Sequence, residues 1–525
     1  MTQSRPGPDT WVPDAWSHGR SWSQGRSWSR RRDDLDVTTT PHLSDPRPLR
    51  AAIIGAGMAG ILATIKLCER GVECSVFEKA DSVGGTWRDN TYPGLSCDVS
   101  AHWYTFTFAR NPNWDRLMAQ GADIRRYFED VAQRFGVQPL IRFSDEVVRL
   151  EWRDGQWALT TASGHQDRFD IVVAATGVLH HPHVPHFEGL DRFQGASFHS
   201  ARWDHSVKLD GQRIGVIGVG STAAQVATAL VPRASRFSLF QRTAQWVMPR
   251  ANPAYTEAEK ALFRSDPQAL EALIRELRAK TLSGYATAVI DVDSPELAEI
   301  ERLCREHLQT VRDPDLRSRL TPDYRPACKR LVISDSFYEA IQQPNADLVT
   351  AGIDRFEEAG IRTVDGTLHE LDVAVLATGF LVDRFIRPAR VIGRGGVDLD
   401  EAWQEGPEAY LSLTVPDFPN FFLLNGPNSP VGNFSLVEVA EHQIRYILQL
   451  VEGLQQGRYR EVSPTQEALR RFEDERREAA RKTVWVTGCK SWYLDKNGVP
   501  ASWTFSYDRF VQETAAPRMA DFETI

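Results

Sequence analysis

Short apolar runs alternate with helix-like segments along most of the chain. Residues 50–54 form an apolar run of strand length, residues 59–69 are rich in Ala, Leu and Ile, and residues 73–77 form a second apolar run. A glycine-rich turn separates the first run from the helical segment. This order of strand, turn, helix and strand predicts a βαβ unit with parallel strands.

The same pattern recurs further along the chain. Residues 213–217 and 237–241 are predicted strands, and residues 222–230 form the predicted helix between them. Two more apolar runs, 169–177 and 371–379, both end in Ala-Thr-Gly. We expect these two runs to be the closing strands of two separate nucleotide-binding modules.

Two regions depart from this alternation. Residues 253–322 are charged, with apolar residues at helical spacing, which predicts a helical insertion in the second module. Residues 1–48 are rich in Ser, Arg, Pro and Gly and contain a short tandem repeat, so we expect a disordered tail.

Composition excludes several classes of function. The 525-residue chain has a formal net charge of −9, whereas a nucleic-acid-binding protein needs a concentrated basic surface. No apolar run approaches the roughly 20 residues that span a bilayer. No apolar signal-peptide core follows the N-terminus, so we expect neither secretion nor membrane insertion.

The six cysteines are scattered and form no C-x-x-C pair. This pattern predicts free thiols in a reducing cytoplasm. It also argues against a flavin-dependent disulfide reductase, because such enzymes carry a paired redox cysteine.

The first glycine turn has the spacing of a dinucleotide fingerprint. Gly55, Gly57 and Gly60 follow a strand and open a helix, the setting in which G-x-G-x-x-G binds a pyrophosphate at a helix N-terminus. Glu78 ends the next strand, where a carboxylate accepts hydrogen bonds from a ribose diol and repels a 2′-phosphate. This module is therefore expected to bind FAD or NAD.

The second turn carries a variant of the same fingerprint. Gly218 and Gly220 are followed by Ala223 in the third position, which the pattern tolerates. At the end of the next strand the chain has Arg242 and Thr243 in place of an acidic residue. An arginine there offers two donors to a 2′-phosphate, which predicts NADPH over NADH.

Between the fingerprints lies the pattern F-x-G-x-x-x-H-x-x-x-W-D, formed by Phe193, Gly195, His199, Trp203 and Asp204. It resembles the signature of type I Baeyer–Villiger monooxygenases. Related flavin monooxygenases that oxidise nitrogen or sulfur typically place Tyr or Phe at the position of Trp203. In the family, the histidine belongs to a linker that couples domain movements.

A second segment resembles the flavin-wrapping signature of the same family. Gly84-Gly85-Thr86-Trp87 leads to Tyr92-Pro93-Gly94 and then Asp98, matching G-G-x-W-x-x-x-x-Y-P-G-x-x-x-D. The resemblance selects FAD for the first module.

The resemblance also implies roles for individual residues. Arg330 matches the catalytic arginine, Asp98 matches the aspartate that holds it, and Lys329 matches a lysine that helps to bind the NADPH 2′-phosphate. The expected cofactor-binding residues are Gly55, Gly57, Met58, Ala59, Gly60, Glu78, Lys79, Gly85, Thr86, Trp87, Tyr92, Asp98, Gly218, Gly220, Ser221, Thr222, Ala223, Arg242, Thr243, Lys329, Thr378, Gly379, Asn433 and Trp492.

Four histidines between His180 and His186 have a spacing that can suit zinc. No carboxylate or thiolate nearby completes a ligand set, so we expect no metal. They occupy the loop where the family has Pro-x-x-Pro, matched here by Pro182 and Pro185.

These observations predict an α/β fold with two Rossmann-like dinucleotide-binding domains and a helical insertion at about 253–322. The FAD domain is expected to be split in sequence, with parts at 49–205 and 376–525, the second part ending in a mobile segment. The NADPH domain at 206–375 is inserted between them.

The resemblance implies an FAD- and NADPH-dependent monooxygenase. It would insert one atom of O2 next to the carbonyl of a small-molecule ketone, by way of a flavin peroxide, and give an ester or lactone. One alternative is a flavin-containing monooxygenase that makes N- or S-oxides. Another is a flavin-binding protein that performs no oxygenation.

Overall fold

One parallel five-stranded sheet is built around the first glycine turn. The computed structural model describes residues 47–489, 491 and 493–525. Residues 1–46 of the predicted tail therefore lie outside the described residues. In spatial order the strands are Phe421–Leu423, Ile171–Ala174, Arg50–Ile54, Glu73–Phe77 and Ile141–Arg142. Ala51, Ala52 and Ile53 are fully buried. A parallel strand covered on both faces is apolar throughout, which is why this run lacks alternation.

A second parallel five-stranded sheet surrounds the second glycine turn. Its strands, in spatial order, are Ala346–Val349, Arg236–Phe240, Arg213–Ile217, Val373–Leu376 and Ala196–His199. The edge strand Ala196–His199 comes from the F-x-G-x-x-x-H pattern and pairs in parallel with Val373–Leu376. The sequence pattern between the fingerprints therefore completes the second sheet.

The chain leaves the first sheet, builds the second, and then returns. Strand Phe421–Leu423 pairs with Ile171–Ala174, although the strands of the second sheet lie between them in sequence. The predicted α/β fold class with two Rossmann-like sheets is confirmed. The predicted strands at 50–54, 73–77 and 213–217 have the observed bounds.

Close backbone approach fixes both glycine turns. Gly55 and Gly218 have φ of +102° and +123°, values that L side chains rarely adopt. A Cβ added at Gly60, in helix Met58–Cys68, would overlap the carbonyl oxygen of Gly55. The helix can begin this close to the strand only because the third fingerprint position lacks a side chain.

Smaller sheets and further helices surround this frame. The remaining strands are Val147–Arg153, Gln156–Thr161, Gln166–Phe169, Val247–Met248, Val332–Ile333, Ile353–Glu357, Gly360–Thr363, Leu368–Glu370, Arg390–Ile392, Val462–Pro464 and Phe522–Thr524. The other helices outside the predicted insertion are Thr86–Asp89, Gly121–Arg134, Ser221–Leu230, Phe337–Ile341, Leu399–Ala402, Leu436–Gln455, Gln466–Ala480 and Tyr507–Glu513.

The charged region at 253–322 is helical. Its α-helices are Glu257–Ser265, Pro267–Thr281, Thr287–Ile290, Pro295–Leu308 and Pro314–Arg319, with a π-helical turn at Leu282–Ala286. Thr256, Asp266, Ser294 and Asp313 cap four of them with side-chain oxygens, a role for which these residue types are favoured.

A partly buried polar contact docks these helices on the rest of the protein. Arg278 donates to Glu438 over 2.8 Å and to the hydroxyl of Tyr507 over 2.6 Å. Trp103 also donates its indole N–H to Glu438. Three distant parts of the chain therefore converge on the Glu438 carboxylate in helix Leu436–Gln455.

None of the helices among the described residues combines the length and the apolar character that crossing a bilayer requires.

The prediction that all the cysteines are free thiols is wrong. A disulfide joins Cys328 and Cys489, whose Cα atoms lie 6.2 Å apart, within the range for such a bond. The two residues are 161 positions apart in sequence, so only the tertiary fold brings them together. Cys68, Cys74, Cys97 and Cys304 are free.

We expect Gly60→Ala to destabilise the protein by about 2 kcal/mol or more, because the new methyl group meets a backbone oxygen that cannot swing aside. Gly220→Ala is the matched control, since no atom lies within 4 Å of a Cβ added there. Thermal unfolding without added nucleotide measures both variants. Equal melting temperatures for the two would contradict the packing account.

Candidate functional site

A single cavity of about 1130 Å³ is lined by both glycine-rich turns. Ligands of parallel α/β sheets bind at such turns, where strands end and helices begin. The predicted site residues that line this cavity are Gly55, Gly57, Met58, Ala59, Glu78, Lys79, Gly85, Thr86, Trp87, Tyr92, Asp98, Gly218, Gly220, Ser221, Thr222, Arg242, Thr243, Lys329, Arg330, Thr378 and Gly379. The fold thus gathers most of the predicted cofactor contacts around one space.

The first turn forms a backbone cradle. A Cβ added at Gly85 would lie 3.0 Å from the Cα of Gly57, so the two glycines face each other with no side chain between them. Helix Met58–Cys68 starts here, and no side chain caps its N-terminus. Unpaired N–H groups at a helix start favour a phosphate, and the gap suits the pyrophosphate of a dinucleotide.

Glu78 holds the cradle in shape. Its buried carboxylate accepts hydrogen bonds from the backbone N–H groups of Ala56 (2.8 Å) and Ala80 (2.9 Å). Arg88 lies 3.1 Å from the same carboxylate. Glu78 thus fixes the turn while lining the cavity, where a ribose diol can reach its remaining lone pairs.

Two cations converge on the second turn. Burial lowers the pKa of the Lys329 ammonium, and the nearby positive charge of Arg242 lowers it further, against the opposing effect of Asp323. Lys329 also lies over the ring of Tyr324 at 4.4 Å. Among the described residues, no carboxylate forms an ion pair with Arg242 or Lys329. This donor set fits a phosphate group.

Arg330 is held on two sides. One guanidinium nitrogen donates to the carboxylate of Asp98, and the other donates to the hydroxyl of Tyr493 over 3.4 Å. Burial would lower the pKa of Arg330, but Asp98 and then Tyr493 raise it well above its ordinary value. Arg330 is therefore a permanent cation, with 29% of its side chain exposed where it borders the cavity.

A second arginine contacts the backbone of the same aspartate. Arg250 donates to the backbone carbonyl of Asp98 (3.2 Å) and to the hydroxyl of Ser100 (2.9 Å). Burial lowers its pKa, and the charge of Asp98 opposes that effect. No carboxylate in the described part of the chain forms an ion pair with Arg250, so two arginines surround one aspartate.

The five residues of the F-x-G-x-x-x-H-x-x-x-W-D pattern do not line the cavity. His199 accepts the Ala201 N–H at Nδ1, and its Nε2 donates to the carbonyl of Gly379 over 3.0 Å. Trp203 is buried against Phe198. Within the same pattern, the side chain of Phe193 is buried, a Cβ at Gly195 would meet the backbone of residue 372, and Asp204 accepts from Ser206.

His199 thus links the edge strand of the second sheet to the Ala-Thr-Gly turn at residues 377–379, which borders the cavity. The pattern thus reaches the cavity lining through that backbone contact.

Three further predicted cofactor residues also lie away from the cavity lining. Gly60 and Ala223 face the sheets, where the third fingerprint position provides packing room. Asn433 is buried and donates to the carbonyl of Trp503 over 3.3 Å. Trp492 lies outside the described residues.

Sequence reasoning missed several neighbours of Arg330. Gly432 has φ +90°, and a Cβ there would overlap both the Tyr493 hydroxyl and the Arg330 guanidinium. Tyr285, in the π-helical turn, lies close to Tyr493, which helps to raise its pKa. Arg250 carries no motif either. No sequence pattern placed these residues beside Arg330 or Asp98, because each contact joins segments that are distant in sequence.

His180 and His183 line the cavity. Burial, and then the charge of His181, lower the pKa of His180 to about 3, which keeps it neutral. No group of three or more metal-ligating side chains occurs among the described residues.

Comparison with known proteins agrees with this geometry. Residues 49–259 match the family described as FMO-like, Flavin-binding monooxygenase-like. An uncharacterized monooxygenase of Mycobacterium tuberculosis is 47% identical, covering 87% of this chain and 92% of that protein. A Baeyer–Villiger monooxygenase of Streptomyces coelicolor is 39% identical, covering 91% of this chain and 93% of that protein.

Solved structures give the same result. Cyclohexanone monooxygenase from Rhodococcus sp. Phi1 bound to NADP+ superimposes with a TM-score of 0.80 at 29% identity, covering 91% of this chain and 99% of that one. A steroid monooxygenase bound to NADP superimposes with a TM-score of 0.81 at 28% identity, covering 91% of this chain and 100% of that one. The family expected from the sequence motifs is confirmed: this chain belongs to the Baeyer–Villiger monooxygenases, within the flavin-binding monooxygenases.

Proposed function

We propose that this protein uses NADPH and FAD to insert one atom of O2 next to a ketone carbonyl, giving an ester or a lactone. The observation that carries this proposal is the Arg330–Asp98 ion pair at the cavity that both dinucleotide turns line. A fixed cation is required there because negative charge develops on oxygen when a carbonyl is attacked.

In this proposal the two turns divide the cofactors between them. Residues 49–205 and 376–525 form the flavin module, apart from strand Ala196–His199, which belongs to the second sheet. The pyrophosphate of FAD lies on the cradle at Gly57 and Gly85. Residues 206–375 form the NADPH module, with Arg242 and Lys329 on the 2′-phosphate. FAD supplies the reaction with oxygen, and NADPH supplies the electrons.

The chain's own residues set the geometry of the reaction. Arg330 offers N–H donors to the carbonyl oxygen of the ketone and stabilises the negative charge that forms on it. Asp98 holds the guanidinium in place, and Arg250 fixes the backbone of Asp98. The Arg330 side chain is 29% exposed, and its partial burial strengthens these charge interactions.

Arg330→Ala is expected to lower ester formation by about 10²-fold or more, because it removes the cation at the developing oxyanion. Reduction of the flavin by NADPH should continue near the wild-type rate. Product analysis with a panel of cyclic, aryl and steroid ketones, together with anaerobic stopped-flow reduction, measures the two steps. Arg312→Ala, on the exposed surface, is the control.

Three outcomes would contradict the proposal. Continued ester formation by Arg330→Ala would remove the arginine from the chemistry. Oxidation of amines or sulfides but of no ketone would assign the protein to the N- and S-oxidising enzymes. Release of hydrogen peroxide alone, under all conditions, would mean that the wild-type protein performs no oxygenation.

Arg242→Gln is expected to raise the KM for NADPH by about tenfold or more and to leave the KM for NADH nearly unchanged, because the lost donors face only the 2′-phosphate. Steady-state kinetics with both nucleotides measures this. Arg236→Gln is the matched control, since Arg236 begins the strand Arg236–Phe240 that precedes Arg242, and it pairs with Asp347 at the surface. An equal loss with NADH would refute the assignment.

As the pH rises, the kcat/KM for NADPH should begin to fall at a lower pH than it would if the phosphate site depended on a lysine of ordinary pKa. Lys329 is charged only below its pKa, which burial lowers, so its attraction for phosphate is lost as the pH rises through that lowered value. Lys329→Arg stays charged and should flatten this alkaline limb. A wild-type profile as flat as that of the variant would exclude Lys329 from the phosphate site.

A further inference from the structure

Two segments far apart in sequence meet behind Arg330 and are covalently joined there. The disulfide connects Cys328, two residues before Arg330, to Cys489, four residues before Tyr493. Both sulfur-bearing residues are buried, with 0% and 6% exposure. The bond therefore limits how far Tyr493 can move from Arg330.

Tyr493 occupies a defined place against the guanidinium. Only 1% of the residue is exposed, and its ring packs against the ring of Trp485 at 5.4 Å. Its hydroxyl accepts a hydrogen bond from Arg330 over 3.4 Å. That distance is at the long end for a hydrogen bond, so a small shift of the segment would break the contact.

Further neighbours make this contact specific. Tyr285, on the helical insertion, lies close to Tyr493. Burial, and then the proximity of Tyr493, raise the pKa of Tyr285 well above its ordinary value, so it remains a neutral hydroxyl. Gly432 leaves the space that the Tyr493 hydroxyl and the Arg330 guanidinium share.

An arginine held only by Asp98 is free to turn about that one contact. A second contact on the other guanidinium nitrogen fixes the plane of the group, and catalysis by a charged donor depends on that orientation.

We propose that Tyr493 is a positioning residue for Arg330, and that the Cys328–Cys489 disulfide keeps the two segments in register. This inference rests on the proposed function, because Arg330 acts on substrate there. It goes beyond that function by making orientation of the reaction centre depend on a bond that a thiol reductant can break.

The redox step is a thiol–disulfide exchange. A dithiol attacks the Cys328–Cys489 bond, which breaks to give two cysteine thiols, while the dithiol becomes a disulfide. Two electrons and two protons pass from the reductant to the protein. The segment that carries Tyr493 then loses its covalent link to the segment that carries Arg330.

The bond is tested first by counting thiols in the denatured full-length protein. Four cysteines are free and two are paired, so alkylation without reductant should label four thiols, and alkylation after dithiothreitol should label all six. Six labelled thiols without reductant, in protein purified under air, would overturn the disulfide half of the proposal. This result does not depend on any activity.

The positioning role is tested with Tyr493→Phe, which keeps the ring and removes only the hydroxyl. We expect the share of NADPH consumption that ends as hydrogen peroxide, rather than oxygenated product, to rise about tenfold, as for loss of one hydrogen bond to a charged group. Flavin content, melting temperature and the rate of flavin reduction should stay at wild-type values. Tyr446→Phe, at a buried tyrosine outside the site, is the matched control.

A double-mutant cycle then links the bond to the contact. Cys489→Ser, or dithiothreitol with the wild type, should raise peroxide release as Tyr493→Phe does, and should add little in the Tyr493→Phe background. Cys304→Ser, at a buried free cysteine, is the control. Fully additive effects on peroxide release would mean that the disulfide does not act through Tyr493. A share of peroxide in Tyr493→Phe equal to that of the wild type would remove Tyr493 from this role.

Failure of the proposed function is distinguishable from failure of this inference. A wild-type protein that oxygenates no compound in the panel refutes the function. If the wild type and the variants all turn the same high fraction of the NADPH they consume into oxygenated product, only the positioning role is refuted.

Discussion

The ion pair between Arg330 and Asp98 is the contact on which the site depends. It joins two side chains 232 residues apart in sequence, one following the second glycine turn and the other following the first. Removing charges from water costs more than a simple ion pair returns, so such a pair contributes position more than stability. The polar groups around it, Tyr493 and Arg250, supply the additional hydrogen bonds that a partly buried pair requires.

The two sheets make that ion pair possible. In the first sheet the helix begins so close to a strand that a Cβ at Gly60 would overlap a backbone oxygen, and in the second the buried Ala223 takes the equivalent position. No side chain caps the N-terminus of either helix. The late strand Phe421–Leu423 returns the chain to the first sheet, which brings residues 424–436 to the cavity wall. The site is thus assembled from several regions of one chain, all within reach of Arg330.

Charge is distributed unevenly across this cavity. Glu78 is engaged by backbone N–H groups and Arg88, whereas Arg242 and Lys329 have no carboxylate partner among the described residues. The first turn is therefore close to electrically balanced, and the second carries excess positive charge. On the proposed assignment of the cofactors, this difference accounts for their different phosphate content, because a 2′-phosphate would be repelled by the first turn and attracted by the second.

The sequence by itself determined the elements whose cause is local. Apolar runs at 50–54 and 213–217, and the fingerprint glycines after them, predicted strands and turns with the observed bounds, because strand burial and positive φ leave a direct mark on residue type. The match to spaced motifs also identified the family, and it predicted roles for Arg330 and Asp98. Most of the predicted cofactor residues line one cavity for the same reason.

Only the tertiary structure decided the contacts between segments with no common motif. The Cys328–Cys489 bond contradicted the expectation of free thiols, since spacing along the chain says nothing about two cysteines 161 residues apart. Tyr285, Tyr493, Arg250 and Gly432 gained their relation to Arg330 and Asp98 in the same way. Their positions follow from the packing of the helical insertion and the C-terminal segment against two sheets, and local sequence carries no record of that packing.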